Sequence, residues 1–397
     1  MRRILISGAS VAGPALAFWL HRYGFEATVV ERAPAPRGGG YAVDFRGASL
    51  EVLRRMGVLD EVRAHATGMG DMRYVDAAGK QVASLPSVAF SGELEVLRGD
   101  LVDVLHRHTA SGVEYLFDDS ITGIAEDDDG VHVTFDRAAP RTFDLVVGAD
   151  GLHSNVRGLV FGPEHEFVHD LGFYASVFTT ANHLGLDHTG TFHNSPGRIA
   201  GLCSARHNTE AKAMFYFAAD PIAHDRRDVG RQQAIVAEAF AGQGWEVPRL
   251  LAAMADAPDF YFDSVSQVRM DSFTRGRVAL LGDAGYCASP LSGMGTSLAL
   301  VGAYVLAGEL AAAGGDHRVA FPEYERQLRD FALLCQKQAV DSAKWFVPRT
   351  RAGLWLRNLN YRMMTVLPTG GLVAKMALKV ANAIVLKDYR APAAVRP

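Results

Sequence analysis

The sequence predicts an α/β fold: a Rossmann-like nucleotide-binding domain assembled from separated segments, with an inserted β-sheet domain and C-terminal helices. Three strand-and-turn motifs predict it, at the start of the chain, near residue 150 and near residue 280, with sheet-forming stretches between them. Buried parallel strands carry ligand-binding loops at their carboxyl ends. Motifs so far apart therefore predict one nucleotide site built from distant parts of the chain.

The composition narrows the class of protein. Of the 397 residues, 49% are hydrophobic and 21% charged, and the net charge is −4 with acids and bases interspersed. This is typical of a globular protein with two or three domain-sized cores, and it offers no basic stripe for nucleic acid. The three cysteines, Cys203, Cys287 and Cys335, are far apart without metal-ligand spacing. We therefore expect a reducing, cytoplasmic compartment and no metal site.

The first motif is a strand, a turn, a helix and a second strand. The turn is Gly8-Ala-Ser-Val-Ala-Gly13, and the second strand ends at Glu31. This is the βαβ dinucleotide fingerprint, in which Gly8 allows the tight turn, Gly13 lets helix and strand pack closely, and the helix N-terminus faces a pyrophosphate. Ser10 replaces the middle glycine, and an isolated motif of this kind also fits an ordinary α/β turn.

Two further motifs place an acid at the tip of an apolar strand. One is Gly-Ala-Asp-Gly at 148–151, and the other is Gly-Asp at 282–283. Alone, Asp-Gly after a strand is usually a turn, and Asp283 alone also fits a helix cap. With all three motifs in this order, the acids are expected where open α/β sheets bind ligands. The loop 290–295 then starts a long apolar helix whose positive end would point to the same place.

The middle of the chain predicts a second sheet. Alternating stretches at 72–84 and 174–217, with a strand up to 268, are typical of hairpins and longer strands, whereas the sequence from 294 onward is helical. The predicted domains follow from this division: a nucleotide-binding domain, 1–70, 97–167 and 269–317; a substrate-binding β-sheet domain, 71–96 and 168–268; and a C-terminal helical segment, 318–397.

Together these motifs resemble the class A flavoprotein monooxygenases, with the para-hydroxybenzoate hydroxylase fold, from Arg3 to at least Leu310. Within that group, the segments 8–14 and 44–47 and the long C-terminal helices are most similar to the tetracycline-inactivating and polyketide-tailoring enzymes. The resemblance implies FAD, reduction by NADPH or NADH, and reaction with dioxygen to a flavin C4a-hydroperoxide. It also implies hydroxylation of a phenolic or polycyclic aromatic small molecule.

The resemblance implies which residues hold FAD. Glu31 would bind the adenosine ribose, and Arg98 would bind the phosphate region. Arg46 would lie near the isoalloxazine, Asp150 near the pyrophosphate, and Asp283 at the ribityl chain. The alternative for Arg46 and Arg98 is a surface salt bridge. Because the flavin carries the chemistry, Arg46 is the one candidate for a catalytic side chain. The full set of expected cofactor contacts is Gly8, Ser10, Val11, Ala12, Gly13, Glu31, Arg32, Arg46, Arg98, Asp150, Gly151, Asp283, Pro290, Gly293 and Gly295.

Substrate contacts are expected from the middle sheet, with Pro290 over the ring from the flavin side. Aromatic and methionine side chains on strands more often belong to the core than to a pocket. A charge at Arg198 that projects into the pocket would hold an enolate or phenolate. The candidates on the sheet are Phe192, Arg198, Met214, Phe215 and Phe217.

Other functions stay open at this point. An enzyme of this fold also fits a flavin reductase or a Baeyer–Villiger-type oxygenase. A halogenase is disfavoured because the stretch 244–248 lacks the second tryptophan of that motif. Intact cofactor motifs argue against a non-enzymatic binder of aromatic ligands. The expected partners are an aromatic small molecule and dioxygen, with no nucleic acid, no stable membrane association and a monomeric state.

Overall fold

The computed structural model describes residues 2–36, 38, 40–87, 92–366 and 378–389, so the rest of the predicted C-terminal segment lies outside the described residues. Within these ranges the chain forms sheets of six, three, seven and two strands, and the predicted α/β class with C-terminal helices is confirmed. The helices, in chain order, are α1 (Ala12–Arg22), α2 (Ala48–Met56), α3 (Leu59–Arg63), α4 (Arg98–Arg107), α5 (Asn155–Val160), α6 (Val229–Ala239), α7 (Val247–Met254), α8 (Asp283–Tyr286), α9 (Gly295–Ala312), α10 (His317–Phe346) and α11 (Arg351–Val366).

The six-stranded sheet joins the three motif regions. Its strands in spatial order are β17 (Thr274–Arg275), β18 (Val278–Leu280), β11 (Leu145–Gly148), β1 (Arg3–Ser7), β2 (Glu26–Glu31) and β7 (Glu114–Phe117). All pairs are parallel except that of β17 with β18. The strands β11 and β18 are buried throughout, as parallel strands covered on both faces must be. The pairing brings the carboxyl ends of β1, β11 and β18 to one edge.

The seven-stranded sheet comes from the middle of the chain. Its strands in spatial order are β16 (Tyr261–Val268), β12 (Val168–Thr180), β15 (Glu210–Ala218), β14 (Arg198–Ala205), β13 (Gly190–Ser195), β4 (Met72–Val75) and β5 (Gln81–Leu85). One face packs against α6 and α7, and the other packs against Leu291 and residues of α10 and α11. All seven strands fall within 71–96 and 168–268, although the division into domains stays a prediction.

Two smaller sheets complete the described strands. The three-stranded one contains β8 (Ile121–Glu126), β9 (Val131–Phe135) and β10 (Arg141–Phe143), and the two-stranded one pairs β3 (Ala42–Phe45) with β6 (Leu94–Leu97). The predicted boundary between 96 and 97 falls inside β6. The strand β6 pairs with β3 and is not part of the seven-stranded sheet.

The long apolar helix α9 is a core helix. Its length and composition would suffice to cross a membrane, but 78% of it is buried inside the protein. It packs against α1 and α10, and its positive end reaches the edge where the motif strands terminate. Burial on all sides explains why its sequence is apolar around the whole circumference.

Candidate active site

The first part of the site is the turn between β1 and α1. Gly8 has a φ of +107°, and a Cβ there would lie 2.5 Å from the carbonyl oxygen of Ala149. A Cβ on Gly13 would lie 1.9 Å from the carbonyl oxygen of Gly8. Both positions therefore require glycine. Val11 precedes α1, and within the described residues no side chain caps the start of that helix at Ala12. The N–H groups of its first turn therefore have no side-chain cap from those residues, and such a helix start is a place where an anion can bind.

Glu31 ends β2 and closes this turn. Its carboxylate accepts hydrogen bonds from the backbone N–H groups of Ala9 and Ala33, at 2.8 and 2.9 Å. The next residue, Arg32, is exposed. Each carboxylate oxygen can accept a further hydrogen bond, so the acid can hold the turn in place and still receive a ligand hydroxyl.

Arg98 brings a cation to the same turn. It starts α4, and its Nη1 donates to Oγ of Ser10 at 3.1 Å. A Cβ on Gly40 would lie 2.6 Å from Nε of Arg98, so the chain at residue 40 passes directly over the guanidinium. The serine that replaces the middle glycine of the fingerprint therefore pairs with the arginine expected near the phosphates. Its hydroxyl adds a donor that glycine lacks.

Asp150 lies directly after β11 and is satisfied within the protein. One carboxylate oxygen accepts from Oγ of Ser154 at 2.5 Å, and the other accepts from the N–H of Val156 at 3.1 Å and from Oγ of Ser7 at 3.3 Å. Burial raises the pKa of this carboxyl. Gly151 follows with a φ of +86°. The acid thus shapes the loop between β11 and α5.

The third motif, at 282–283, contacts the first motif, at 8–13, through Gly282. A Cβ on Gly282 would lie 3.5 Å from Cβ of Ala12 and 3.7 Å from Cβ of Ala299, so the starts of α1, α8 and α9 converge there. In the described part of the chain, no side chain caps α9 either. Asp283 starts α8 and is exposed to the cleft, while the protein around it raises the pKa of its carboxyl by desolvation.

The loop between α8 and α9 contacts both sides of the cleft. A Cβ on Gly295 would lie 4.0 Å from Oδ1 of Asp283, and one on Gly293, where φ is +62°, would lie 3.7 Å from Oδ2 of Asp44. Pro290 starts a short 3-10 turn and is exposed. Gln338 of α10 donates to the carbonyl of Ser292 at 2.9 Å, a support for the loop that no sequence motif indicated.

A pair of carboxyls lies next to this loop. Asp44 and Glu95 stand directly opposite each other on β3 and β6. The guanidinium of Arg46, itself buried, lies 3.8 Å from Asp44, and Thr67 donates to Glu95 at 2.5 Å. Burial and then the charge of Asp44 raise the pKa of Glu95 to about 7, and burial also raises the pKa of Asp44. Two facing carboxyls disfavour each other's ionised form, so they do not lose their protons independently. No sequence motif marks Glu95, because two acids on different strands face each other only once the strands are paired.

The near face of the seven-stranded sheet, the one that packs against Leu291, holds two of the predicted substrate residues. Phe192 and Met214 lie on it. A Cβ on Gly201 would lie 2.1 Å from Cδ1 of Phe192, so the phenyl ring rests directly on the backbone of β14. Alternation along β13 also places Asn194 on this face, and its amide N and O are buried without a hydrogen-bond partner among the described residues. An unpaired buried amide needs a polar partner, which a ligand could provide.

The other three predicted substrate residues lie on the far face. Phe215 packs edge-on against Phe240 with ring centroids 4.8 Å apart, and Phe217 belongs to the same cluster. Nε of Arg198 donates to the carbonyl of Ala239 at the end of α6. The five candidates therefore lie on two opposite faces of the sheet, and their role as substrate contacts stays a prediction. Side chains alternate along a strand, so neighbours such as Met214 and Phe215 point to opposite faces.

A tyrosine pair lies between the Asp283 motif and the sheet. The rings of Tyr41 and Tyr261 are 6.2 Å apart, and Tyr261 is exposed. Burial and the nearby charge of Asp283 raise the pKa of Tyr41 to about 12. Both phenols therefore stay protonated at neutral pH. Among the described residues, no group of three or more His, Cys, Asp or Glu side chains is placed to hold a metal ion.

Comparison with known proteins identifies relatives along most of the chain. Residues 1–330 match the family model described as FAD binding domain. An uncharacterized protein of Mycobacterium tuberculosis is 51% identical over 353 residues, which are 87% of this chain and 93% of that protein. A flavin-dependent monooxygenase of an unknown prokaryotic organism is 43% identical over 334 residues, 83% of this chain and 86% of the other. The crystal structure of tetracycline destructase Tet(55) is 39% identical, with a TM-score of 0.85 over 98% of this chain and 99% of that one.

Proposed function

This chain belongs to the FAD-binding-domain family as a flavin-dependent monooxygenase related to the tetracycline-inactivating enzymes, and we propose that it hydroxylates a phenolic or polycyclic aromatic molecule with NADPH or NADH as reductant. The observation that carries the proposal is the meeting of the starts of α1, α8 and α9 at Gly282, in a cleft next to an apolar sheet face. FAD bound in this cleft would supply the chemistry of dioxygen activation, and the oxygen atom added to the substrate would come from dioxygen.

The cleft fits FAD. At Gly8 and Gly13 a side chain would collide with backbone, so the turn leaves room for a pyrophosphate at the start of α1, which no described side chain caps, and Arg98 adds a cation next to it. In this proposal Glu31 receives the ribose hydroxyls. Asp283 receives a ribityl hydroxyl, because its carboxylate is the exposed acid at the tip of the third motif strand.

The protein contributes electrostatics at the ring end of the cleft. The N-terminus of α9 has no side-chain cap within the described ranges, and its partial positive charge would favour the negative charge that develops on a flavin bound there when it is reduced. Arg46 adds a buried guanidinium, and its neighbour Asp44 faces Glu95 across the strand pair. We infer that this cluster keeps one proton beside the 290–295 loop at neutral pH.

The substrate would lie against the near face of the seven-stranded sheet. Phe192 and Met214 offer an apolar and polarisable surface for aromatic rings, and Asn194 offers an amide that has no partner among the described residues. A pocket that is mostly apolar with one convergent polar group suits a flat molecule with a carbonyl or hydroxyl at one edge. The likeness to a tetracycline destructase supports a polycyclic compound.

The test is anaerobic reduction of the bound flavin by NADPH and by NADH, with and without tetracyclines and other polycyclic phenols. The visible absorbance of the flavin monitors the reduction. We expect reduction that one compound accelerates, and aerobic turnover of that compound to a product one oxygen atom heavier. A product without added oxygen would indicate a reductase. A bound flavin that neither nucleotide reduces would contradict the proposal and require another electron donor.

A Phe217→Leu variant is the matched control, because this residue packs on the far face of the same sheet. It should be reduced with the same substrate dependence as the unsubstituted enzyme. A Phe192→Leu variant, on the near face, should lose most of the acceleration by substrate.

A further inference from the structure

Helix α11 presents apolar side chains to solvent. Trp355 is 66% exposed, Met363 50%, Leu356 49% and Leu359 38%. With about 3.6 residues per turn, these four positions lie on one side of the helix. Single exposed apolar residues are normal on a protein surface, but a Trp, two Leu and a Met on one helix face form a contiguous patch that calls for a partner.

The buried side of α11 carries a charge instead. The side chain of Arg357 is fully buried, and its guanidinium lies 4.6 Å from the ring centre of Tyr74 and 5.3 Å from that of Tyr361. It also donates to the carbonyl of Phe346 at 3.3 Å, and Nε of Arg362 donates to the carbonyl of Val82 at 2.6 Å. These contacts fix the rotation of the helix, so the apolar side is held outward by specific interactions.

The segment that contains this face carries only basic charges. Its exposed basic residues, among those described, include Arg349, Arg351, Arg362 and Lys379, whereas Arg357 is buried. From 342 to 387 the sequence has eight Lys and Arg and no Asp or Glu, while the whole chain has 40 basic and 44 acidic residues. All of the acids therefore lie outside this segment. An apolar helix face with an aromatic anchor in a purely basic segment is the pattern of helices that lie in the head-group region of anionic membranes.

We propose that the exposed face of α11 docks reversibly on an anionic lipid membrane, with its Trp, Leu and Met side chains among the head groups and the basic residues next to lipid phosphates. Tryptophan favours this interface because its ring is amphipathic. A symmetric pair of chains would bring two faces of equal positive charge together, which argues against a second copy as the occupant. Charge complementarity favours the membrane. The contact would be peripheral, so it differs from stable insertion.

The experiment is co-sedimentation of the full-length, FAD-loaded protein with lipid vesicles. One set contains phosphatidylglycerol in phosphatidylcholine, and the other contains phosphatidylcholine alone. We expect binding to the anionic vesicles at low salt, weaker binding at high salt, and little binding to the neutral ones. The double variant Trp355→Gln/Leu359→Gln should lower the partition coefficient by about tenfold or more, since it removes two apolar anchors.

The matched control is Leu333→Gln/Leu334→Gln on α10, where both side chains are also exposed but precede the acid-free segment. It should bind like the unsubstituted protein. A third variant, Arg351→Glu, keeps the apolar face and should weaken binding to anionic vesicles alone. Retained flavin absorbance shows that each variant is folded.

Three results would overturn the proposal. The first is no sedimentation with anionic vesicles at low salt, and the second is an equal loss in the Leu333/Leu334 control. The third is a dimer in lipid-free solution that the Trp355→Gln/Leu359→Gln variant converts to a monomer, because the face would then be an interface between two copies of the chain.

Discussion

The cofactor cleft is formed mainly by backbone atoms, whereas the near face of the seven-stranded sheet is formed by side chains. The cleft is made of backbone: glycines at which a Cβ would collide, and helix starts that meet at Gly282. The sheet face is made of side chains, such as Phe192 and Met214, whose strand neighbours point the other way. A site formed by backbone can be predicted from a short run of consecutive residues. A site formed by side chains depends on which face of the sheet lies against the cleft.

The largest effect is expected where the backbone is tightest. Gly13→Ala would place a Cβ 1.9 Å from the carbonyl oxygen of Gly8, so the turn would have to open. We expect the variant to lose bound flavin and at least about 3 kcal/mol of its free energy of unfolding. Flavin absorbance per mole of protein and urea unfolding measure the two quantities.

The control for this variant is Gly158→Ala, because nothing lies within 4 Å of a Cβ at that position. It should keep its flavin and its stability within about 0.5 kcal/mol. Full flavin occupancy in Gly13→Ala would show that the start of α1 does not hold the cofactor. The cleft would then not depend on its backbone more than the sheet face does.

A smaller and different effect is expected on the sheet face. Gly201→Ala would place a Cβ 2.1 Å from Cδ1 of Phe192 and displace that ring. We expect the flavin to stay bound while KM for the aromatic substrate rises by about tenfold, roughly 1.4 kcal/mol of binding. Steady-state kinetics with the substrate found in the reduction test give the value.

Phe215→Leu is the matched change on the far face of the same sheet. It should lower the free energy of unfolding by about 1 to 2 kcal/mol by leaving a gap next to Phe240, and leave KM unchanged. If Phe215→Leu raises KM and Gly201→Ala does not, the assignment of the two faces is reversed.

The smallest effect concerns the carboxyl pair between the two regions. The pKa of Glu95 is raised to about 7 by burial and by Asp44, against 4.5 for an ordinary glutamate. The folded state therefore binds more protons than the unfolded state between these pH values, so this group's contribution to stability is lost as the pH rises from about 4.5 to 7. Glu95→Gln removes that titration, and we expect it to flatten the pH dependence of stability.

Urea midpoints at pH 5.5 and pH 8 test this expectation. The unsubstituted protein should lose at least about 1 kcal/mol more than the variant over that interval, since one pKa unit corresponds to about 1.4 kcal/mol. Asp127→Asn is the control, because that carboxyl is exposed and its pKa is lowered. Parallel pH profiles of Glu95→Gln and the unsubstituted protein would mean that the pKa of Glu95 is not raised in the folded state.

The sequence patterns that correctly predicted the fold and the family each involve residues close together in the chain. The turn at 8–13, the acid at the end of β2 and the strand before Asp283 each lie within a few residues, and the FAD-binding family that they indicated is the one the chain belongs to. Even Ser10, the departure from the fingerprint, has a local explanation in the structure, where its hydroxyl pairs with Arg98.

The signals that failed needed partners far away in the chain. Strand periodicity showed that Phe215 and Phe217 alternate with Met214, but not which set faces the cleft, because both sets are apolar. Glu95 acquires its raised pKa only when β6 pairs with β3. The exposed face of α11 is as apolar as the buried face of a core helix. Only the packing shows that Arg357 lies on the buried side of α11.

By itself the sequence determined the α/β class, the motif strands and the glycine turns, because φ preferences and buried apolar runs act over a few residues. The tertiary structure alone decided that the helix starts converge at Gly282, which sheet face lines the cleft, and which side of α11 meets solvent. These three features depend on contacts between residues that are far apart in the chain. The chemistry of one side chain does not specify which distant residue will pack against it.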